Sequence, residues 1–142
     1  MNLEPEKNTL LSYKLLAQLD EISKLAKAVE SALHCYPELI YAVNLCLDEL
    51  ITNIILYGFK DFEGGEIEIK IYLKDGFLEI LIEDKAPAFN PFLSVPEPNI
   101  NASLKDRAIG GLGVYFVRRL MDNFRYNHNE HGNQISIYKK IC

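Results

Sequence analysis

The sequence lacks tryptophan, and it has only three cysteines and three histidines among its 142 residues. The cysteine count is odd and shows no metal-ligand spacing, which argues against a disulfide framework and against a structural zinc site. Cys46 falls in a helical apolar pattern, so we expect a buried thiol there. The histidines, His34, His128 and His131, form no recognisable ligand set, and surface or cap positions are expected for them.

Positive charge is also scarce, since 15 Lys and Arg against 20 Asp and Glu give a net charge of −5. Proteins that bind duplex nucleic acid or anionic membrane surfaces usually carry a basic face. No run approaches the about 20 apolar residues that a membrane-spanning helix needs. The N-terminus, MNLEPEKNTL, is acidic and polar, unlike a signal peptide. We therefore expect no nucleic acid, no membrane and a reducing, cytoplasmic location.

Apolar residues, in contrast, are abundant. They make up 49% of the chain, which is enough to fill a single core. The length is that of one ordinary domain. No internal repeat, low-complexity tract or change of composition divides the sequence. We therefore expect a single domain over residues 1–142.

Hydrophobic periodicity predicts two consecutive helices in the first half of the chain. Apolar residues at spacings of three and four indicate helices over about 19–34 and 37–57. Asp20 suits the first turn of the first helix, where the helix dipole favours acidic side chains. Pro37 suits the first turn of the second helix, and Gly58 is expected to be its C-terminal cap.

Strict alternation of apolar and polar residues predicts a β hairpin after the second helix. The strands are EIEIKIYL at 66–73 and FLEILIE at 77–83, and Lys74-Asp75-Gly76 is typical of the tight turn between them. A strand is also predicted over 8–16, although a helix fits that segment as well.

The last part of the chain is predicted to contain a helix from the glycines at 110–113 to about Asp122 and then two strands, over 124–127 and 134–141. The turn between these strands is expected at Asn129–Asn133, where Gly132 can take a positive φ.

The stretch at 84–109 has four prolines and no periodicity. A functional lid and a flexible insertion are both open for such a long loop. The order of elements is thus strand, two helices, hairpin, loop, helix and hairpin. This order predicts an α/β (α+β) two-layer sandwich, with a mixed or mostly antiparallel sheet and helices on one face.

A carboxylate and an amide lie four residues apart in the second helix, within LDELITNIILYGF. They are Glu49 and Asn53. Residues at this spacing share one helix face, and burying polar side chains on an otherwise apolar helix is costly. The alternative interpretation is the solvated face of an amphipathic helix, because such pairs are common there. This helix alone does not choose between a functional pair and a solvated face.

Two later stretches favour a nucleotide site. Asp84 follows an apolar strand directly, where a carboxylate can accept a hydrogen bond from an exocyclic amine and so favour adenine over guanine. Gly110–Gly113 open a helix, whose free N–H groups and positive dipole end suit a phosphate. Each signal has an ordinary alternative, a turn aspartate and a glycine turn. The Walker A motif, the dinucleotide fingerprint and the protein-kinase signature set are all absent.

Three stretches, taken together, resemble the N box and the two glycine boxes of the GHKL (histidine kinase-like) ATPase and kinase superfamily. They are ELITNIILYGF at Glu49–Phe59, EDKAPAFNP at Glu83–Pro91 and GGLGVYFVRRLMD at Gly110–Asp122. Within the superfamily the likeness is to small bacterial anti-sigma-factor serine kinases of the RsbW type, over about residues 8–141. The resemblance implies the Bergerat-type ATP-binding fold.

The resemblance also implies a role for each matching position. Asn53 would hold Mg²⁺ against the phosphates of ATP or ADP, and Glu49 would be the catalytic general base. Asp84 would accept a hydrogen bond from the adenine amine. Magnesium prefers oxygen ligands and keeps waters, so one asparagine and the phosphates can hold it. The implied nucleotide-binding set is Asn53, Asp84, Ala86, Gly111, Leu112 and Gly113, with an ATP lid over about residues 85–109.

Three positions depart from the family pattern. Ala86 stands where the first glycine box has glycine, and its methyl group could crowd the adenine or alter the φ of the loop. Tyr57 stands near the position of an N-box histidine, and Asn133 replaces a threonine that helps to hold the adenine-site aspartate. Glu49 and Asn53 are unaffected, so weaker nucleotide binding is expected rather than lost chemistry.

The function that the resemblance implies is an ATP-dependent serine/threonine kinase acting as an anti-sigma factor. It would phosphorylate a serine on an anti-anti-sigma (STAS-domain) partner, bind a sigma factor and form a homodimer. The alternative is a non-catalytic ATP-binding partner-switch module of the same fold, for which Ala86 and Asn133 are the motive. The catalytic domain of a sensor histidine kinase is not expected, because there is no room for a phosphoacceptor helix. A simple ATP hydrolase stays open.

Overall fold

The computed structural model describes residues 8–60, 64–92 and 111–141, and the side chains of the last range from residue 115. The chain forms a five-stranded sheet covered by helices. Its elements are β1 (Asn8–Leu16), a 3-10 turn (Leu19–Glu21), α1 (Ile22–Ala32), α2 (Pro37–Asn53), a π turn (Ile54–Gly58), β2 (Glu66–Lys74), β3 (Phe77–Asp84), α3 (Gly111–Leu120), β4 (Asn123–Asn129) and β5 (Gly132–Lys140). The predicted order of elements and the predicted α+β class are confirmed.

The five described strands lie in the order β1-β2-β3-β5-β4, and every pairing is antiparallel. The register of the strands places every second residue, mostly apolar, on the same face of the sheet, and this face is buried. Its members on the three central strands are Ile67, Ile69, Ile71, Leu78, Ile80, Ile82, Ile135 and Ile137, each at most 1% exposed. Each such side chain contributes about 1.5–3 kcal/mol by leaving water.

The helices supply the other half of the core. In α2 the residues that turn toward the core are almost fully buried, including Val43, Leu47, Leu50 and Ile51. α2 packs against both α1 and α3, and α1 also contacts β1. The helix that bears Glu49 and Asn53 is therefore the central helix of the layer.

By length and composition alone, the helical segment Pro37–Gly58 could cross a membrane, and it is the single such segment among the described residues. The prediction that the sequence contains no membrane-spanning run missed this segment, because Asp48 and Glu49 interrupt its apolar residues. A core helix of a globular domain passes the same test, since it too buries apolar side chains.

The hairpin between β2 and β3 forms as the sequence predicts. Asp75 and Gly76 both have a positive φ, at 53° and 80°. Two positive φ values in a two-residue connection define the mirror-image turn that matches the twist of the strands. Gly132 has the expected positive φ, of 114°, but the second turn is shorter than predicted, because Asn129 ends β4 and β5 begins at Gly132.

The expectation that Gly58 caps α2 is wrong. Gly58 does not have a positive φ, and it lies inside the π turn, where the N–H of Phe59 donates to the carbonyl of Ile54 at 2.9 Å. A Cβ atom on Gly58 would lie 3.3 Å from the ring of Phe89. The glycine therefore allows a close contact with a later segment instead of ending the helix.

Other boundaries differ slightly from the predictions. The segment over 8–16 is a strand, which excludes the helical alternative. Asp20 lies in the 3-10 turn that precedes α1, not in the first turn of α1 itself. Cys46 is fully buried, as predicted, and burial raises the pKa of its thiol to about 12.

Candidate nucleotide-binding site

Asp84 is a buried carboxylate at the end of a central strand. It is the last residue of β3, pairs with Ile67 on one side and Asn133 on the other, and is 6% exposed. Its Oδ1 accepts the N–H of Ala86 and an N–H of the Asn133 side chain, both at 2.9 Å. Burial raises the pKa of Asp84, and these two bonds, with His128 nearby, partly oppose the rise.

Asn133 joins this carboxylate to the segment that follows it. Its side chain is 3% exposed and its Nδ2 also donates to the carbonyls of Ala86 at 3.0 Å and Pro87 at 3.1 Å. Asn133 in place of the family threonine raises the expectation that the contact holding Asp84 is in doubt. That expectation is wrong, because the longer amide side chain bonds the carboxylate directly.

Tyr126 on β4 completes the same network. Its hydroxyl donates to Oδ1 of Asn133, and both that Oδ1 and the Tyr126 oxygen lie 3.1 Å from the N–H of Phe89. Burial raises the pKa of Tyr126. Residues from β3, β4 and β5 therefore hold the backbone from residue 84 to residue 89.

The next few residues are packed as well. Phe92 stacks on Phe124 with ring centroids 4.3 Å apart, and its carbonyl accepts a hydrogen bond from Arg118 of α3 at 3.3 Å. Asn90 accepts the N–H of Phe92 through its side chain. The first part of the predicted lid, 85–92, is thus fixed against the domain, and residues 93–110 lie outside the described residues.

Phe89 also connects this segment to the helix of the N box. Its ring lies against Gly58, and its centroid is 6.3 Å from that of Tyr57. One turn before Tyr57 on the same helical segment is Asn53, which is fully buried, and two turns before it is Glu49, which is half-buried. The alternative of a solvated helix face is therefore wrong for Asn53, whereas Glu49 is partly exposed.

Glu49 has a perturbed acidity. Burial raises the pKa of its carboxyl group, and the neighbouring negative charge of Asp48 raises it further. A carboxylate with a raised pKa binds a proton more readily near neutral pH, which suits a general base.

The second glycine box forms the start of a helix. The described part of α3 begins at Gly111, so Gly111, Leu112 and Gly113 are helical and form its first described turn. The first turn of a helix has N–H groups without intrahelical partners, which suits an anion. Gly110 lies outside the described residues, and nothing is described of the Leu112 side chain.

Two further observations bear on ligands. Among residues 8–60, 64–92 and 111–141, no three His, Cys, Asp or Glu side chains gather as a metal-ligand cluster. A hollow of about 580 Å³ is lined by Asp84 together with residues of β1 and β2, including Lys14 and Glu68. A hollow of about 610 Å³ between α1 and α2 includes none of the predicted site residues.

Sequence reasoning missed three residues of this arrangement, namely Tyr126, Phe89 and Arg118. Tyr126 alternates with outward-facing residues of its strand, which marks it as inward-facing but not as a hydrogen-bond partner. Phe89 and Arg118 carried no signal, because the contacts Arg118–Phe92 and Phe89–Gly58 join residues 26 and 31 positions apart.

The fold and this arrangement define a class of protein. A model of the histidine kinase-like ATPase domain matches residues 14–139, and the chain belongs to that family. The resemblance drawn from the three boxes is confirmed at this level. The histidine kinase domain of the blue-light-activated kinase of Erythrobacter litoralis has a similar structure. Its TM-score is 0.54 at 17% identity, over 87% of this chain and 60% of that one. The histidine kinase AdeS of Acinetobacter baumannii, at 14% identity, has a TM-score of 0.53, over 91% and 68% of the two chains.

Curated relatives by sequence carry one recurring name. Serine-protein kinase RsbW of Listeria innocua is 27% identical over 96 residues, which are 66% of this chain and 61% of that protein. The protein of the same name from Oceanobacillus iheyensis is 29% identical over 114 residues, or 74% and 68%. That of Bacillus mycoides is 32% identical over 91 residues, or 62% and 56%. The chain thus spans 56–68% of the length of these relatives.

Proposed function

We propose that this chain is an ATP- and Mg²⁺-dependent serine/threonine protein kinase that acts as an anti-sigma factor. The observation that carries the proposal is the buried Asp84 carboxylate, held at a strand end beside a segment that contacts the helix of Glu49 and Asn53. The name shared by the curated relatives, serine-protein kinase, supports the transferase activity.

Asp84 recognises the base in this proposal. Ala86 and Asn133 both donate to Oδ1, so Oδ2 is the oxygen offered to a ligand. An exocyclic amine donates to such an oxygen, whereas the carbonyl of guanine would oppose it. The site therefore favours adenine nucleotides. Ala86 is 2% exposed, and its backbone N–H supports the carboxylate, which is a role that any non-proline residue can fill.

Magnesium and the phosphates belong at the N box and at the start of α3. Asn53 offers an amide oxygen from the last turn of α2, which is a suitable ligand for a cation that takes its other ligands from phosphates and water. When bound, the ion would neutralise charge that develops on the phosphates. Gly111 and Gly113 offer backbone N–H groups to the same phosphates.

Glu49 acts as the general base. Phosphoryl transfer depends mainly on positioning and on charge neutralisation, so the protein needs to orient one hydroxyl and accept one proton. Glu49 lies one helical turn from Asn53, which brings the base next to the metal. Its raised pKa, caused first by burial, matches that task.

The partners follow from the same proposal. A serine on an anti-anti-sigma (STAS-domain) protein accepts the phosphoryl group, and a sigma factor binds to the surface of the kinase. The kinase is a homodimer in the cytoplasm. These assignments are inferred from the name that the relatives share, and this chain spans only part of the length of those relatives. The non-catalytic partner-switch module is the outcome to expect if nucleotide binds and no partner is phosphorylated.

Calorimetric titration with ADP, ATP and GTP, with and without Mg²⁺, is the first test. Binding of adenine nucleotides that Mg²⁺ strengthens, with GTP much weaker, supports the proposed site. Incubation with labelled ATP and a serine-bearing STAS protein then separates a kinase from a hydrolase, because a hydrolase releases phosphate whether or not the STAS protein is present. No binding at millimolar nucleotide would contradict the proposal.

Asp84→Asn tests the base contact with little change to the fold. The new amide oxygen can accept both bonds that now end on Oδ1, while its NH₂ group faces the adenine amine. We expect ADP affinity to fall by about 1–3 kcal/mol, the scale of a lost charge-assisted bond. Calorimetry measures the affinity, and the thermal midpoint should stay close to that of the wild type. Unchanged ADP affinity would remove Asp84 from the site.

The raised pKa of Asp84 predicts opposite trends for binding and for stability. Burial raises this pKa above its ordinary value of 3.8, so there is a pH range in which Asp84 is protonated in the folded protein and ionised in the unfolded chain. The stability tied to Asp84 is fully present below its unfolded pKa, and it falls as the pH rises through the raised pKa. ADP binding needs the ionised carboxylate, so the affinity should fall as the solution is acidified through the same pKa. Asp84→Asn should lack both trends in titrations over this range.

A further inference from the structure

We propose that Asn133 and Tyr126 set the preference of the nucleotide site for a base with an exocyclic amine, because they fix the direction in which the Asp84 carboxylate faces the base. The inference rests on the proposed function, in which Asp84 accepts a hydrogen bond from that amine. Asn133 and Tyr126 act through Asp84 and through the backbone beside it, and both are therefore positioning residues.

The orientation of the Asn133 amide follows from its neighbours. Its nitrogen faces three acceptors, which are Oδ1 of Asp84 and the carbonyls of Ala86 and Pro87, at 2.9–3.1 Å. Its oxygen faces two donors, the hydroxyl of Tyr126 and the N–H of Phe89. Turning the amide by half a rotation would set an oxygen against three acceptors. The donor therefore faces Asp84.

This orientation decides how the carboxylate is presented. Both hydrogen bonds that the described residues make to the Asp84 carboxylate end on Oδ1, so any rotation other than a half turn, which only exchanges the two equivalent oxygens, would break them. Oδ2 is then held in one direction as an acceptor. A base that offers an N–H there gains a charge-assisted bond, and a base that offers a carbonyl meets a repelling oxygen.

An amide suits this position better than the hydroxyl of the family pattern. The amide has two hydrogens to share among Asp84 and the two carbonyls, whereas a threonine hydroxyl has one and could bond Asp84 alone. Tyr126 supplies the second half of the device, since its hydroxyl bonds the Asn133 oxygen and its oxygen lies 3.1 Å from the Phe89 N–H. The pair therefore holds both the carboxylate and the backbone that follows it.

The test compares two ligands that differ by one amine. Calorimetry in the presence of Mg²⁺ measures ADP against purine riboside 5′-diphosphate, whose base lacks the amine, for wild type and variants. The wild type should prefer ADP by about tenfold to hundredfold, as one charge-assisted bond allows. In Asn133→Ala we expect this ratio to fall to within about threefold, because only the Ala86 N–H is left to orient the carboxylate. Tyr126→Phe should lower the ratio severalfold, and Asn127→Ala, an exposed asparagine of β4, should leave it unchanged.

Each outcome has a distinct meaning. A merely structural role would weaken both ligands equally in Asn133→Ala, and an unchanged ratio would overturn the inference while the proposed function stands. Failure of the wild type to bind either ligand would overturn the proposed function itself, and equal binding of both would remove Asp84 from base recognition. If Asn133→Ala does not fold by circular dichroism, Tyr126→Phe decides, since it removes one oxygen atom. A lowered ratio there supports the inference, and an unchanged ratio overturns it.

Discussion

Glu49→Gln should reduce phosphoryl transfer to a STAS partner by about 10²–10⁴-fold, the range typical of a lost general base. The substitution keeps the size of the side chain and one acceptor oxygen, but it replaces the other oxygen with an NH₂ group and removes the basicity. Because Asn53 and Asp84 are untouched, the affinity for ADP with Mg²⁺ should stay close to that of the wild type. Single-turnover transfer of labelled phosphate, measured beside calorimetric ADP binding, separates the two effects.

Asp48→Asn is the matched control for Glu49→Gln. Asp48 precedes Glu49, is exposed, and raises the pKa of the Glu49 carboxyl through its charge. Its neutralisation should therefore lower that pKa and move the acidic limb of the pH–rate profile to lower pH, with little change in the maximal rate. A Glu49→Gln protein that transfers phosphate at the wild-type rate would contradict the role of Glu49 and favour the non-catalytic module.

Gly132→Ala should be the most destabilising of the single-methyl additions considered for the glycines with positive φ. Gly132 has a φ of 114°, and a Cβ atom there would lie 2.1 Å from the carbonyl oxygen of Asp84. Both the backbone strain and the clash must be relieved, so we expect a loss of about 3 kcal/mol or more in the free energy of unfolding. Urea titration measures the loss directly.

Gly76→Ala is the matched control, because Gly76 also lies at a hairpin turn with a positive φ of 80°. A Cβ atom on Gly76 would meet nothing within 4 Å, so only the strain of about 1 kcal/mol is expected. Equal losses in the two variants would mean that the approach to Asp84 adds nothing. In Gly132→Ala the affinity for ADP should fall as well, since the carbonyl that moves belongs to the base-binding residue.

The strands and helices could be predicted from the sequence because their periodicities are strong. Ile67, Ile69 and Ile71 alternate with charged and mixed residues, and the Asp75-Gly76 turn leaves one register for the hairpin. The end of α2 was harder, since glycine after an apolar helix usually marks a cap. The lack of a side chain at Gly58 leaves room for the ring of Phe89, which is 31 residues later in the chain, and no local sequence pattern predicts that contact.

The site divides in the same way. Asp84 could be singled out because it follows an apolar strand and matches a family box, and its burial agrees with that prediction. The part played by Asn133 could not be predicted, because it depends on the pairing of β3 with β5, which sets residue 133 beside residue 84. From the family pattern alone Asn133 is expected to weaken the site, whereas in the structure its amide side chain bonds the Asp84 carboxylate directly.

The π turn at Ile54–Gly58 has a consequence for evolutionary comparison. Its hydrogen bond spans five residues instead of four, so the turn contains one residue more than the α-helix it continues. A relative whose helix stays α-helical here reaches the same point in space with one residue fewer. The alignment of the two sequences then needs a single gap between Asn53 and Phe59. Without that gap, Tyr57 and Gly58 are compared with residues that lie about 100° away around the helix axis.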